Sequence, residues 1–278
     1  MFEAAELGHT VDKQTYNREV ARLRSELLAA QKQLAGADFS VVIIVSGVEG
    51  AGKAEIVNLL LEWMDARGIQ THAMWDPSDE ERERPPYWRF WRVLPPKGHI
   101  GIFFGSWYTA PVIDHVFKRT NAAEFDLALD DIVSLERMLS QENVLVLKFW
   151  MHLSKAAQRE RLRELEASKK TRWRVTKTDW KFFKKYDAFR DCSEAALRKT
   201  NTAHAPWHIV DSADERYRAL TVGRALLEAL QKRLLQAQAK PRTAPEKPPL
   251  PKPEKVNVIN RLDMSLKASE DKYKNKLL

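Results

Sequence analysis

The stretch SVVIIVSGVEGAGK, residues 40–53, joins a continuous run of mostly β-branched residues to a glycine-rich turn that ends in lysine. A run such as Ser40–Ser46 is typical of a strand that is buried on both faces of a sheet. The turn Gly47–Lys53 satisfies the pattern G-x-x-x-x-G-K, in which backbone N–H groups and a lysine surround one phosphate. The helix predicted to follow adds the partial positive charge of its N-terminus. The predicted phosphate-binding residues are Gly47, Gly50, Ala51, Gly52 and Lys53.

Further apolar runs on the C-terminal side of this stretch are predicted to be strands, and helical patterns separate them. The strands are predicted at Thr71–Trp75, His99–Phe104, Asn143–Phe149 and Trp207–Val210. The helices are predicted at Lys53–Arg67, Tyr87–Val93, Leu127–Ser140, Ser154–Ala167 and Ala213–Gln238. This alternation predicts an α/β fold, with a parallel five-stranded sheet that carries helices on both faces.

The two ends of the chain differ from this middle part. Lys13–Leu34 has apolar residues at spacings of three and four, which predicts an amphipathic helix that needs a partner surface. We therefore divide the chain into an N-terminal helix region at 1–38 and an α/β domain at 39–239. Six of the thirteen prolines fall within Lys240–Lys255, so residues 240–278 are interpreted as a Pro/Lys-rich linker and tail.

Composition limits the class of protein. The chain has 278 residues, of which 44% are hydrophobic and 30% charged, and this excludes a chain that is disordered throughout and a fibrous one. No apolar run approaches the ~20 residues that cross a bilayer, and the acidic N-terminus does not resemble a secretory signal. The single cysteine, Cys192, excludes an internal disulfide and fits a reducing compartment. We therefore expect a cytoplasmic protein without a membrane partner.

The net charge of +8 is unevenly distributed along the chain. Between Ser168 and Lys199, eleven basic residues stand against four acidic ones. Such a stretch is typical either of a solvated helix face or of a surface that binds a polyanion. Its segment 169–174, KKTRWR, lies between two helices, where phosphoryl-transfer enzymes often place a mobile arginine lid, so a lid is predicted near 168–199. Nucleic acid is disfavoured as the polyanion because no DNA- or RNA-binding motif occurs.

Several motifs in the same order along the chain resemble the polyphosphate kinase 2 family, P-loop enzymes that move phosphate between polyphosphate and nucleotides. The resemblance extends from about Thr15 to Leu235. Besides the phosphate loop, it rests on Pro77–Glu81 before Trp88-Arg89, on Ser106–Tyr108, Leu147–Lys155, Arg172–Arg174, Tyr186–Ala188 and Thr202–Trp207. It implies a P-loop kinase-like three-layer sandwich with a helical lid.

The resemblance also implies roles for particular side chains, a cofactor and substrates. The implied catalytic residues are Lys53, Arg172 and Arg174. The implied groove for nucleotide and polyphosphate contains Arg89, Ser106, Tyr108, Lys169 and Lys170. Mg²⁺ is the implied cofactor, with Glu49 as a ligand, and inorganic polyphosphate and a nucleotide are the implied partners.

The chain departs from the family pattern where catalysis is most sensitive. Glu49 stands in place of an aspartate, which keeps the carboxylate and lengthens it by one methylene. Phe104 replaces the usual second metal ligand, and Gly105 replaces an arginine. Loss of a transition-state arginine can lower the rate on the order of 10³-fold.

Three functional readings remain open from the sequence. The first is a polyphosphate-dependent phosphotransferase with AMP as acceptor and a partly degenerate site. The second is a weakly active or inactive polyphosphate-binding or structural domain beside an active one, because the departures resemble the N-terminal half of the tandem members of the family. The third is an ordinary nucleotide kinase. The amphipathic helix and the family likeness also predict a homo-oligomer or a second family domain as partner.

Overall fold

The β-branched run of residues 40–46 forms the central strand of a five-stranded parallel sheet. The strands are β1 (Ser40–Gly47), β2 (Ile69–Ala73), β3 (Ile100–Phe104), β4 (Val144–His152) and β5 (Trp207–Asp211). Their order is β2-β3-β1-β4-β5, so β1 lies between β3 and β4. The predicted fold class is confirmed by this structure, a computed structural model that describes residues 1–74, 76–239 and 270.

Helices connect the strands throughout the described residues. They are α1 (Lys13–Leu34), α2 (Lys53–Trp63), α3 (Asp79–Arg82), α4 (Trp88–Trp91), α5 (Thr109–Val116), α6 (Ala122–Gln141), α7 (Lys155–Ala167), α8 (Lys177–Phe183), α9 (Tyr186–Thr200) and α10 (Glu215–Gln238). None of the helices in the described part of the chain is long and apolar enough to cross a membrane. The predicted linker and tail at 240–278 lie outside the described residues, apart from Glu270.

Alternate residues of β1 contribute to two separate apolar cores. Val41, Ile43 and Val45 pack in one core with α1, α2 and α10. Val42 and Ile44 pack in the other, with residues of α5, α6 and α9. The sheet is therefore the middle of three layers, and β1 is buried on both faces, as a run without polar alternation requires.

The N-terminal helix α1 has the bounds that its periodicity predicts. Asp12 caps it, because the Asp12 carboxylate accepts hydrogen bonds from the N–H groups of Gln14 and Thr15, each at 2.9 Å. Its apolar face packs against α10 and shares the core of the sheet domain. The predicted boundary at residue 38 thus separates two elements of one packed unit, residues 1–239, rather than two bodies.

Two helix bounds predicted from periodicity are wrong for backbone reasons. α2 ends at Trp63 rather than Arg67, because Met64 is extended with φ −124° and ψ 172°. α4 begins at Trp88 rather than Tyr87, because Tyr87 has the left-handed φ of 68°, and it ends at Trp91, two residues before the predicted Val93.

The start of α6, on the other face of the sheet, is fixed by a capping box that the predicted bounds did not take into account. α6 begins at Ala122 rather than Leu127, since Asn121 and Glu124 form a capping box, with each side chain accepting from the other residue's N–H. The pattern Asn-x-x-Glu before an apolar run follows the general signature of such a start. The short helix α5 was not predicted at all.

The strand bounds differ from the predictions by one to three residues. β4 continues to His152, three residues beyond the predicted end, and β2 begins two residues before the predicted Thr71. Trp75, the predicted last residue of β2, lies outside the described residues. β3 begins one residue later and β5 ends one residue later than predicted.

Two neighbouring leucines of α1 test whether this helix is an integral part of the unit. Leu27 is fully buried, whereas Leu28 is 44% exposed. Leu27→Ala is expected to lower the free energy of unfolding by about 2–5 kcal/mol, and Leu28→Ala by less than about 1 kcal/mol. Urea unfolding followed by circular dichroism measures both, and equal losses would show that α1 does not pack as described.

Candidate phosphate-binding site

The topology points to the carboxyl end of β1 as a candidate position for binding a ligand. The connection that follows β1 leads to β2 on one side, and the connection that follows β3 crosses β1 to reach β4 on the other. In open α/β sheets, ligands bind in the crevice where the direction of the connections changes. The predicted phosphate loop, Gly47–Lys53, leaves β1 at this position and leads directly into α2.

The loop requires glycine where it leaves the sheet. Gly47 has φ 141°, and a Cβ atom at this position would lie 2.1 Å from the carbonyl oxygen of Met151 in β4. The next N–H group, that of Val48, donates to the same oxygen at 3.1 Å. Gly50 and Gly52 also have left-handed φ values, 78° and 80°. The turn is thus fixed against β4 by a close approach that no side chain permits.

The side chain of Lys53 folds back so that its ammonium group lies beside the start of the loop. Its Nζ donates to the Gly47 carbonyl oxygen at 2.9 Å and to Glu49 Oε1 at 3.1 Å. Its side chain is only 14% exposed, so the ammonium group is held beside the loop backbone. A lysine in this place neutralises phosphate oxygens that the loop N–H groups bind.

Glu49 can supply one ligand to a magnesium ion. Its side chain is about one third exposed, and its backbone carbonyl accepts from Gln158 Nε2 at 2.9 Å, which attaches the loop to α7. Among the described residues, no group of three or more His, Cys, Asp or Glu could hold a metal. Mg²⁺ is often bound by one or two carboxylates together with substrate phosphates. The donor set therefore fits Mg²⁺ only when phosphate oxygens and water complete it.

The end of β3 lies beside the phosphate loop, at the position where the family resemblance implies a second metal ligand and an arginine. Phe104, the last residue of β3, lies opposite Val45 of β1 and thus next to the loop. Gly105 follows with φ 80°, and a Cβ atom there would lie 2.5 Å from the carbonyl oxygen of Met74. A side chain at this position would require a different backbone path.

Within the described residues, the predicted lid segment contacts the first turn of α2 through an ion pair. Arg174, in a 3-10 turn at Arg172–Arg174, donates from Nη2 to Oε1 of Glu55 in the first turn of α2. Burial tends to raise the pKa of Glu55, but the hydrogen bond from Arg174 and the charge of Arg218 keep it below its usual value. Arg174 therefore lies near the phosphate loop, whereas Arg172 is exposed.

The last part of the predicted lid, which extends from 168 to 199, is helix α9 and is packed into the domain. α9 buries Cys192, Ala196 and Leu197 in the core between the sheet and α6, so it belongs to the body of the domain. The segment 168–185 remains as the candidate lid. Its Lys169 and Lys170 are exposed and form no ion pair with another described residue, which leaves both charges available to a polyanion.

Two of the predicted groove residues are buried. Ser106 is 3% exposed and Tyr108 is 4% exposed. Ser106 Oγ accepts from the Tyr108 N–H at 3.4 Å, which makes it part of the turn after β3. Arg89, another predicted groove residue, is partly buried, and its Nη2 lies 3.5 Å from a carboxylate oxygen of Glu81. We therefore do not retain Ser106 and Tyr108 as groove residues.

Tyr108 belongs instead to a buried polar network around a lysine. Lys148 of β4 donates to Glu136 Oε2 at 2.7 Å, to the Tyr108 hydroxyl at 3.0 Å and to the Thr200 carbonyl oxygen at 2.8 Å. The Tyr108 hydroxyl and the Trp107 indole N–H both donate to Glu136 Oε1. Burial lowers the pKa of Lys148, and the Glu136 carboxylate opposes that shift. All three ammonium donors are satisfied, so the network is a structural element of the core.

Sequence reasoning missed a further loop contact, Arg218 of α10. Its side chain is 5% exposed. Nη1 donates to the Ser212 carbonyl oxygen at 3.0 Å and lies 3.5 Å from that of Ala51 in the phosphate loop. No local pattern signals this contact, because 167 residues separate Arg218 from Ala51.

The sequence and the fold are similar to those of known proteins. The sequence pattern of the family described as Polyphosphate kinase 2 (PPK2) matches residues 10–238. This chain belongs to the polyphosphate kinase 2 family. The family resemblance predicted from the motifs is therefore confirmed, and the enzyme class expected from it, a phosphotransferase, is confirmed at the level of the family.

Two relatives and one solved structure illustrate the likeness. A polyphosphate:AMP phosphotransferase of Pseudomonas aeruginosa is 46% identical over 278 residues, which are 100% of this chain and 56% of that protein. A polyphosphate:AMP phosphotransferase of Pseudomonas syringae is 40% identical over 279 residues, again 100% of this chain and 56% of the relative. The crystal structure of Polyphosphate Kinase 2 from Arthrobacter aurescens superimposes with a TM-score of 0.78, at 28% identity over 84% of each chain. The chain thus spans little more than half the length of the two relatives.

The buried network predicts a large difference between two glutamates of similar chemistry. Glu136→Gln leaves the buried Lys148 ammonium without its counter-charge and is expected to cost about 3–5 kcal/mol of unfolding free energy. Glu26→Gln removes one partner of an exposed pair with Arg22 and is expected to cost less than about 1 kcal/mol. Guanidinium unfolding measures both, and similar midpoints for the two variants would contradict a buried charged network.

Proposed function

We propose that this unit is a polyphosphate-dependent phosphotransferase that moves a phosphoryl group between inorganic polyphosphate and a nucleotide, with AMP as the acceptor. The observation that carries the proposal is the convergence of Lys53 and the glycine turn at the carboxyl end of β1. The family membership and the names of the relatives support the choice of polyphosphate and AMP. An ordinary nucleotide kinase shares the fold, but the family match favours polyphosphate.

The loop residues would hold the phosphate that is transferred. Phosphoryl transfer demands positioning and charge neutralisation more than covalent chemistry from the protein. The N–H groups of Gly50–Lys53 donate to phosphate oxygens, and Lys53 exchanges its bond to Glu49 for a bond to phosphate. That exchange leaves the Glu49 carboxylate available to Mg²⁺. When bound, the ion neutralises charge on the phosphate oxygens.

The two arginines of the lid would add positive charge around the phosphoryl group that is transferred. Arg174 is already close to the loop through Glu55, and Arg172 lies two residues away in the same turn. Closure of 168–185 over the substrate would bring both guanidinium groups to the transferring phosphoryl group and would exclude water. Lys169 and Lys170, at the start of this segment, would then contact the rest of the polyphosphate chain.

One observation favours a second candidate, a polyphosphate-binding domain with little or no turnover. The backbone at Gly105 leaves no room for the arginine that the family pattern carries, and Phe104 offers no ligand to a second metal position. Such a unit would retain the phosphate loop and depend on an active partner for chemistry. Because the two named relatives are almost twice as long, we propose a second family domain, or a second copy of the chain, as that partner.

A pair of lysine variants tests the proposed function. Lys53→Ala is expected to lower phosphoryl transfer from polyphosphate to AMP by about 10²–10³-fold, since one preorganised cation is lost from the reacting phosphate. Lys232→Ala, at an exposed position of α10, is the matched control and is expected to leave transfer unchanged. The assay follows ADP formation in the presence of Mg²⁺, with polyphosphate binding measured in parallel.

The two readouts separate the candidates. Transfer that depends on Lys53 supports the phosphotransferase. Polyphosphate binding that Lys53→Ala weakens, without measurable transfer by the unchanged chain, supports the binding domain. If Lys53→Ala and Lys232→Ala behave alike in both measurements, the loop is not the phosphate site and both proposals are wrong.

A further inference from the structure

A buried arginine lies directly behind the phosphate loop. The guanidinium group of Arg218 packs against Gly52, the residue that precedes α2, so closely that a Cβ atom on Gly52 would lie 2.4 Å from Arg218 Cζ. Arg218 belongs to the first turn of α10 and reaches the loop past Ser212 at the end of β5. Gly52 is thus required both by its φ of 80° and by the side chain behind it.

The charge of Arg218 is not paired with a carboxylate in the part of the chain that the structure describes. Within the described residues, no carboxylate lies at salt-bridge distance from it, and its buried Nε has no hydrogen-bond partner. Burial lowers the pKa of Arg218, while the more distant carboxylates of Glu55 and Glu215 oppose the shift. A guanidinium group nevertheless stays protonated in proteins. Burying such a charge without a partner is unfavourable and calls for a compensating anion.

The contact with Ala51 shows which way one loop donor points. The C=O of Ala51 and the N–H of Gly52 belong to the same planar trans peptide and point in opposite directions. Arg218 Nη1 lies on the carbonyl side, 3.5 Å from the oxygen. The Gly52 N–H therefore points away from Arg218. A cation at the carbonyl end also polarises the peptide and strengthens the N–H as a donor to an anion.

We propose that Arg218 is a positioning residue for polyphosphate: it orients and polarises the Ala51–Gly52 peptide, and its uncompensated charge is balanced by the phosphate bound in the loop. This inference rests on the proposed function. Arg218 acts through the peptide and through the field of its charge, and it does not itself contact the phosphate. It therefore contributes to affinity for phosphate groups and little to the rate once they are bound.

The proposal predicts opposite effects on affinity and on stability. Arg218→Met removes a buried charge and keeps an unbranched apolar side chain, so the unliganded protein is expected to melt at the same temperature as the unchanged chain or above it. Affinity for phosphate is expected to fall, because the compensating charge is gone. An arginine that served only to hold α10 in place would show the reverse, with lower stability and unchanged affinity.

The experiment measures binding of inorganic triphosphate by calorimetry, together with the melting temperature without ligand. R218M is expected to bind about tenfold more weakly or worse, since a full charge close to the anion is lost in a poorly solvated place. R218K keeps the charge and is expected to stay within about threefold of the unchanged chain. Arg224→Met is the matched control, because Arg224 is an exposed arginine of the same helix that pairs with Glu19.

The possible results distinguish a failure of the role assigned to Arg218 from a failure of the proposed function. Binding by R218M equal to that of the unchanged chain, or binding by R218K as weak as that of R218M, would overturn the inference. If R218M yields no folded protein, Arg218→Gln replaces it under the same criteria. An unchanged chain that fails to bind triphosphate counts against the proposed function itself. Binding that Lys53→Ala abolishes and R218M leaves intact removes only the role assigned to Arg218.

Discussion

The chain can turn out of β1 toward α2 only because residue 47 has no side chain. The carbonyl oxygen of Met151 occupies the space where a Cβ atom would be, and the same oxygen receives the N–H of Val48. This contact fixes the start of the phosphate loop to the end of β4. The position of β4 depends in turn on its long parallel pairing with β1, from Ser40 to Gly47. The loop geometry thus depends on the centre of the sheet, where β1 is buried on both faces.

Two of the basic side chains around this loop are held in place by ion pairs with acidic side chains of the same unit. Glu49 pairs with Lys53, and Glu55 pairs with Arg174, so two of the cations in the site are already engaged by carboxylates of the chain. Arg218 is the exception, since it has no carboxylate at bonding distance among the described residues. A polyanion that binds here would take the place of Glu49 and Glu55 as partner of Lys53 and Arg174. It would also balance the charge of Arg218. In the proposed function, a ligand with several phosphate groups would engage more of these cations than a single phosphate would.

The sequence allowed the sheet, the loop and the family to be predicted because those signals are local. A β-branched run, a glycine turn and a lysine lie within fourteen consecutive residues, and a similar argument would have found the capping box of α6 at Asn121. The contacts that were missed join distant parts of the chain. Arg218 and Glu136 show their roles only after the strands bring them beside Ala51 and Lys148. The family resemblance implied a groove role for Tyr108, and its neighbours in sequence do not reveal that its hydroxyl points to Glu136.

The central claim is that the loop from Gly47 to Lys53 binds phosphate through its backbone. The most direct test is a titration with inorganic triphosphate in which the backbone amide signals are followed by NMR. We expect the largest changes at Gly50, Ala51, Gly52 and Lys53, with smaller ones in the lid segment 168–185. Changes confined to the lid lysines and other basic surface positions, with the loop amides unmoved, would contradict the claim and would reduce the protein to a surface that binds polyanions nonspecifically.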